Sequence, residues 1–396
     1  MTAWFVPGRI EVFGTHTDYA GGNTLVAAVD RGLTVTLRAG GDRFVAVSEQ
    51  GARVELDPAV DDGLAPGHWG RYVHTVLRRL TADFGDLRPA EISVTSDLPL
   101  AAGMSSSSAL LIGTALALID DNGLRERPAW AEAITSDLDL ATYLACVENG
   151  SGYKHLAGGT GVGTFGGSED HCAILLGTDG HLAHFRFDPL ELVDTVPVPD
   201  GWQLVVATSG VLAEKTGAAL ADYNRCSAEA REIVALAKQV GVEARSLAGV
   251  LRALGADDAR RLVADSAALT RRLEHFLVES EHVVPEAVAA LREGGAERFG
   301  KVSELSQSAA EKLLRNQVPE TSQLVKSART LGAAAASSFG AGFGGSVWAL
   351  VDADEAERFA EAWVADYRAH FPEAGATAIA MAVRPSGAAR RVPPAA

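Results

Sequence analysis

The sequence predicts an α+β fold in two domains. Three observations carry that prediction. The chain has 396 residues, more than one hydrophobic core usually serves. Short β-like segments crowd its first half, and long helical patterns fill most of its second.

Taken in order, residues 10–13, 33–37, 44–47 and 54–56 read as strands, because they are β-branched or alternately apolar between turn residues. Tyr72, Val73, Val76, Leu77 and Leu80 recur at the spacing of one helix face. Asp83-Phe84-Gly85 spells a tripeptide of protein kinases, but no H-R-D loop follows it, so it reads as a turn from helix to strand. Residues 92–95 form a strand, Pro99 breaks it, and an apolar helix runs over about 106–121. A second helix follows Pro128 and ends near Gly150. The stretch 150–168 is dense in glycine, after which 172–176 reads as a strand. Pro189, Pro197 and Pro199 with acidic neighbours place the boundary between about 186 and 201, dividing the chain into 1–195 and 196–396. Beyond it, 204–207 is a strand, and 213–240, 257–279, 285–295 and 297–314 are helical. A strand at 347–351, a helix near 354–370 and a strand at 377–383 close the fold, with a frayed Ala/Pro tail after 386.

Composition narrows the function. Hydrophobic residues at 47% and charged residues at 22% are ordinary for a folded chain and argue against disorder. Thirty-five Lys and Arg against 51 Asp and Glu give a net charge of −16, which repels nucleic acid and anionic membranes. Cys146, Cys172 and Cys226 form no C-x-x-C spacing, and the ten histidines form no H-x-x-x-H pair, so neither a disulfide framework nor a structural zinc is expected. The start lacks a secretory pattern and the longest apolar helix is too short to span a bilayer, which points to the cytoplasm.

The 41 glycines concentrate in clusters that carry chemistry. In Pro99-Leu-Ala-Ala-Gly103-Met-Ser-Ser-Ser-Ser108, a strand ends and four serines open a helix. A helix N-terminus offers free N–H groups and partial positive charge, so Gly103 and Ser105 to Ser108 can cradle phosphates; a plain serine N-cap is the alternative. The proline, the glycine and the apolar helix favour phosphate. No P-loop motif is present, and Gly161-Val-Gly163-Thr-Phe-Gly166 lacks the leading strand of a dinucleotide fingerprint. A second cluster, Gly14-Thr15-His16-Thr17-Asp18-Tyr19-Ala20-Gly21-Gly22, offers a carboxylate and an imidazole on one turn. Those groups suit a polyhydroxylated ligand, although a solvated turn capped by Asp18 also fits. The third cluster, Ser337 to Ser346, carries glycines that let another backbone or a ligand come close, with a bulge or tight corner as the alternative.

In this order the three clusters resemble the galactokinase branch of the GHMP kinases. Gly8 to Gly22 follows the family word G-R-x-N-x-x-G-E-H-T-D-Y-x-x-G, Pro99 to Ala109 is similar to the second family motif, and Ser337 to Ser346 to the third, G-A-G-x-G-G. Trp69-x-x-Tyr72-Val73 and Ala221-Asp-Tyr223-Asn224-Arg225 agree more weakly, so the resemblance spans nearly the whole chain. It implies a domain similar to the second domain of a ribosomal protein, a ferredoxin-like second half, and ATP-dependent phosphorylation of a sugar's anomeric hydroxyl between them. It implies Asp170 as the base and Arg9 as its charge partner. It also implies Ser107, with Ser106 as neighbouring candidate, and Glu148 as holders of Mg²⁺, a cation that takes few protein oxygens. Thr15, His16, Asp18, Gly167 and Tyr223 are the implied sugar contacts.

The chain departs from the family at several points. Thr15 stands where the family has a glutamate that meets the sugar's C6 hydroxyl, a change that would admit galacturonate or a pentose such as arabinose. The segment from Glu148 to Asp170 is longer, His171 replaces a glutamine, and Gln307 replaces a Ser-His pair. Kinases of mevalonate, homoserine or a heptose, and a non-catalytic sugar and ATP sensor, are the alternatives.

Overall fold

The computed structural model describes residues 1–49, 52–61, 63–99, 103–211 and 220–394. Twelve strands are described: β1 (Thr2–Phe13), β2 (Asn23–Ala39), β3 (Phe44–Ser48), β4 (Arg53–Leu56), β5 (Ala90–Ser96), β6 (His181–Phe187), β7 (Leu190–Pro197), β8 (Trp202–Thr208), β9 (Ala335–Phe339), β10 (Ser346–Asp352), β11 (Ala380–Val383) and β12 (Arg390–Val392). The first sheet runs β12-β1-β2-β5-β3-β4, and the β6–β7 hairpin extends it from the far end of β2. The second runs β11-β8-β10-β9 and is antiparallel throughout.

Helices α1 (Gly70–Phe84), α2 (Ser106–Asp121), α3 (Pro128–Ala133), α4 (Asp137–Asn149) and α5 (Glu169–Leu176) belong to the first half. In α2 every residue from Ser108 through Ile119 is buried, so it reads apolar on all faces. Gly113 lets α2 lie close on the sheet, since a Cβ there would sit 2.5 Å from Val35. The second half holds α6 (Leu220–Gln239), α7 (Leu247–Leu254), α8 (Ala256–Leu262), α9 (Ala267–Val278), α10 (Val284–Arg292), α11 (Ala296–Ala309), α12 (Pro319–Thr330), α13 (Ala356–His370) and α14 (Pro372–Gly375). A π turn, Glu279–Val283, joins α9 to α10, and another, Ala310–Leu314, ends α11.

Several expectations need correction. Residues 172–176 lie in α5, not in a strand. Residues 172–175 are all buried, so the short apolar run carries no period to distinguish helix from strand. The helix expected after Pro128 is two, split at Ile134 to Ser136, where Ser136 caps α4. Apart from these corrections, the proline-marked stretch carries β7, in the first sheet through Pro197, and the second sheet begins at Trp202. The described part of the tail is not frayed, for β12 pairs with β1 (Ala3 opposite Val392) and Ala389 donates to the Ile174 carbonyl. The helical pattern expected over 213–240 falls partly outside the described residues; its described part is α6.

The two sheets share a core. Ile10, Val12 and Phe13 of β1 cluster with Phe299, Leu204 and Trp348 from the second half, and the Trp348 indole donates to the Val12 carbonyl at 3.1 Å. The end of β1 therefore enters the cleft between the halves, carrying Arg9 and the glycine-bracketed turn with it. Among the described residues no helix is long and apolar enough to cross a membrane.

Candidate active site

A bulge in β1 between Pro7 and Arg9 shifts the register, and Arg9 donates its backbone N–H to the Met104 carbonyl rather than to β2. Its buried guanidinium lies 2.6 Å from Asp170 Oδ1 and 3.2 Å from Glu169 Oε1, and it donates to the Gly103 carbonyl at 3.0 Å. Glu11 Oε2 stands further off, at 4.0 Å. Burial acts to lower the Arg9 pKa, but Asp170, Glu169, Glu11 and Asp18 together outweigh it and hold the cation charged. Burial, with Glu11 beside it, pushes the Glu169 carboxyl well above the ordinary carboxylate range.

The second oxygen of Asp170 faces the start of α2. Ser108 Oγ donates to Glu148 Oε2 at 3.0 Å and lies 3.3 Å from Asp170 Oδ2. His171 Nε2 is 3.2 Å from the same Glu148 oxygen, without hydrogen-bond alignment. The ends of three helices thus converge: the start of α2, the last turn of α4 and the first turn of α5.

The Gly14–Gly22 turn forms the opposite wall. Gly14, at φ 108°, has no room for a Cβ, which would fall 2.5 Å from Thr24 Cα. Glu279 accepts the Gly14 N–H at 2.8 Å, and Arg272 donates to the His16 carbonyl. The His16 ring is held at both ends, by the Tyr19 hydroxyl at 2.7 Å and the Ala341 carbonyl at 3.0 Å. A carbonyl only accepts, so Nε2 carries a proton and donates it to the Ala341 carbonyl. The ring thereby ties the turn to the third glycine cluster, and it also lines the cleft.

Asp18 reaches the cleft. Burial pushes its carboxyl up to about 6 despite backbone N–H bonds from Tyr19 and Glu169, with the Asp170 and Glu11 charges adding to the rise. Thr15 donates its hydroxyl to the Glu11 carboxylate. Tyr223 stands 5.4 Å from the His16 ring, and burial raises its phenol well above the usual value. Gly167 packs on Asp18 so closely that a Cβ would lie 2.1 Å from Oδ2. Arg9, Glu11, His16, Asp18, Ser108, Glu148, Gly167, Asp170, Tyr223 and Gly340 are among the groups lining one cleft, and polar side chains dominate its walls.

The serine turn opens beside it. Gly103 (φ 70°) and Ser105 (φ 59°) bend the chain into α2, whose first helical bond runs from Ala109 N to the Ser105 carbonyl. The amides of Ser106, Ser107 and Ser108 precede that bond, and Ser105 Oγ is buried with no partner among the described residues. Residues 100–102 of the motif lie outside the described residues. The serine that meets Glu148 is Ser108, one residue beyond the expected Ser107. Ser108 points into the core at 1% exposure, whereas Ser106 and Ser107 are half-buried. The third cluster is the β9–β10 turn, and a Cβ on Gly340 would lie 3.2 Å from the Gly103 carbonyl, so two glycine backbones meet there. The 150–168 stretch folds on the end of α4, with Val162 N–H donating to the Glu148 carbonyl. Helix α5 does open just after it, but no strand leads in, as a dinucleotide fingerprint requires.

Known proteins resemble this chain in sequence and in fold. Residues 71–178 match the GHMP kinases N terminal domain, 287–369 the GHMP kinases C terminal domain, and 2–39 the galactokinase galactose-binding signature. The galactokinase of Thermotoga maritima is 29% identical over 92% of this chain and 93% of its own. That of Chloroflexus aurantiacus is 30% identical over 91% of this chain and 86% of its own. The chain belongs to the galactokinase family of GHMP kinases. The fold agrees: the crystal structure of Lactococcus lactis galactokinase complexed with galactose superposes with a TM-score of 0.81 at 24% identity, covering 99% of this chain and 95% of the other.

As a sugar kinase of that family, the chain brings Arg9, Asp18, Asp170, Glu148, Gly167 and Tyr223 to one cleft, as the motifs imply. Two of the cleft's acids were not foreseen from the sequence, Glu11 and Glu169. The family word gives Glu11 away: it writes asparagine where this chain has Glu11, just as it writes glutamate where this chain has Thr15.

Proposed function

We propose that this galactokinase-family enzyme transfers the γ-phosphoryl group of ATP to the anomeric C1 hydroxyl of galactose, with Asp170 as base and Arg9 as charge stabiliser. The observation that carries the reading is the 2.6 Å pair of Arg9 and Asp170, set between the Gly14–Gly22 turn and the serine turn. Asp170 accepts the proton of the C1 hydroxyl as that oxygen attacks phosphorus, and the fixed charge of Arg9 offsets the growing negative charge on the phosphoryl group. Asp18 and Tyr223 hold the sugar, and Thr15 and His16 shape its turn. The amides of Ser106 to Ser108 and the free Ser105 hydroxyl take the phosphates from the N-terminus of α2, aided by the close backbone at Gly103.

Ser108 and Glu148 offer two hard oxygens 3.0 Å apart, a donor set that fits Mg²⁺ carried in on ATP. The described residues hold no cluster of three or more ligands for a metal bound by protein alone. When bound, Mg²⁺ would neutralise phosphate charge; Ser108 and Glu148 are the side chains that would hold it, and Ser107 is set one step back. The three unpaired thiols fit work in the reducing cytoplasm.

The test is ADP release from Mg-ATP with galactose, galacturonate, arabinose, fucose and glucuronate. Galactose turns over fastest. No turnover of any sugar by folded protein would refute the kinase reading, and binding without ADP release would favour a sensor. Asp170→Asn lowers turnover by about 10²–10⁴-fold while ATP still binds; near-normal turnover would remove Asp170 from the base role.

A further inference from the structure

One buried carboxylate in the cleft has no part in phosphoryl transfer. Glu11 is 4% exposed and lines the sugar side with Asp18 and Glu169. It takes one hydrogen bond among the described residues, from the Thr15 hydroxyl. Its other oxygen is 4.0 Å from Arg9, beyond hydrogen-bond reach, because the guanidinium is engaged by Asp170, the Gly103 carbonyl and Glu169. A carboxylate has about four acceptor sites, and a buried one left mostly unfilled is costly unless a ligand donates to it.

We propose that Glu11, steadied by Thr15, accepts a hydrogen bond from a sugar hydroxyl and sets which sugars the cleft takes. The proposal rests on the sugar-kinase reading and deepens it. Set against the family word, a carboxylate has moved from position 15 on the turn to position 11 on β1, and the threonine left behind donates to it. The short side chain at Thr15 therefore does not free the cleft of negative charge. A uronic acid meets the Glu11 carboxylate as a like charge, and a sugar lacking the matched hydroxyl leaves that carboxylate unpaired. Neutral hexoses with a full set of hydroxyls are the class that fits.

A series of monodeoxy galactoses, assayed for ADP release and by calorimetry, tests this with wild type, Glu11→Gln, Glu11→Ala and Thr15→Val. Glu11→Ala is expected to raise the galactose KM by about 10- to 100-fold, with kcat changed much less. One deoxy sugar is poor with wild type, and Glu11→Ala weakens it no further, which names the hydroxyl. Thr15→Val gives a smaller rise in the same KM, and galacturonate neither binds nor turns over in wild type. Should Glu11→Gln and Glu11→Ala lower kcat alike for every sugar, or leave every KM unmoved, Glu11 is only a counter-charge for Arg9 and the proposal falls. Tight binding of galacturonate by wild type overturns it as well. Wild-type protein that binds and turns over no sugar overturns both this inference and the kinase reading beneath it.

Discussion

At the scale of single residues the cleft is a contest between burial and charge. Four acids, Glu11, Asp18, Glu169 and Asp170, gather round one arginine, and burial makes Asp18 and Glu169 hold their protons more tightly. Asp18 is the one whose change falls in a measurable window, since burial pushes its carboxyl up to about 6. A hydroxyl donates to a carboxylate more strongly than to a neutral acid, so the charged form of Asp18 is the one that grips the sugar. The charged form prevails above about pH 6 and is lost as the pH falls through that value. For galactose, kcat/KM should therefore drop on the acid side with a midpoint near 6, and Asp18→Asn should abolish that limb while lowering the plateau. A wild-type profile flat from pH 5 to 8 would show that Asp18 does not bind the sugar as a carboxylate.

At the scale of elements the site is a meeting of turns, and small residues decide how closely they meet. Gly167 opens α5 against the Asp18 carboxylate, leaving no space for a methyl group: a Cβ would lie 2.1 Å from Oδ2 and 2.9 Å from the Tyr19 amide. Gly167→Ala should displace Asp18 and raise the galactose KM by about tenfold or more, while the buried Ala20 end of the 3-10 turn Asp18–Ala20 stays anchored in its cluster. Kinetics and a melting curve on one preparation decide it, and an unchanged KM would mean the turn yields freely. The same elements show what a sequence displays. Helix α2 was legible because a proline, a glycine and a serine run announce its start, and Arg9 and Asp18 because their neighbours spell a family word. Helix α5 was not, since burial on all sides erases its period. Nor was β12, whose partner β1 lies almost the full chain away. Glu169 carried no signal in the sequence, and its burial follows from the fold.

At the scale of the whole molecule, the cleft is assembled from both halves of the chain. The Ala341 carbonyl holds His16, Gly340 abuts Gly103, Arg272 holds the carbonyl of His16, and Glu279 in the π turn after α9 accepts the amide of Gly14. Glu279 is fully buried and also accepts the Ser306 hydroxyl, while its second oxygen has no partner among the described residues. Burial pushes its carboxyl up from 4.5 to about 7, with the Glu11 charge adding to the rise and the bonds from Gly14, Ser306 and Thr15 opposing it. In the unfolded chain Glu279 ionises at its ordinary value, so the folded state binds the extra proton between about 4.5 and 7. Its contribution to stability is fully present below 4.5 and is lost as the pH rises through 7, a loss of the order of 3 kcal/mol. Glu279→Gln keeps the shape and an acceptor for Gly14 but cannot ionise. Its melting temperature relative to wild type should therefore climb steadily from pH 4.5 to 7.5, with the smallest difference at the acid end. A difference that stays level across that range would mean the carboxylate is accommodated without cost, and that the joint between the halves does not depend on its proton.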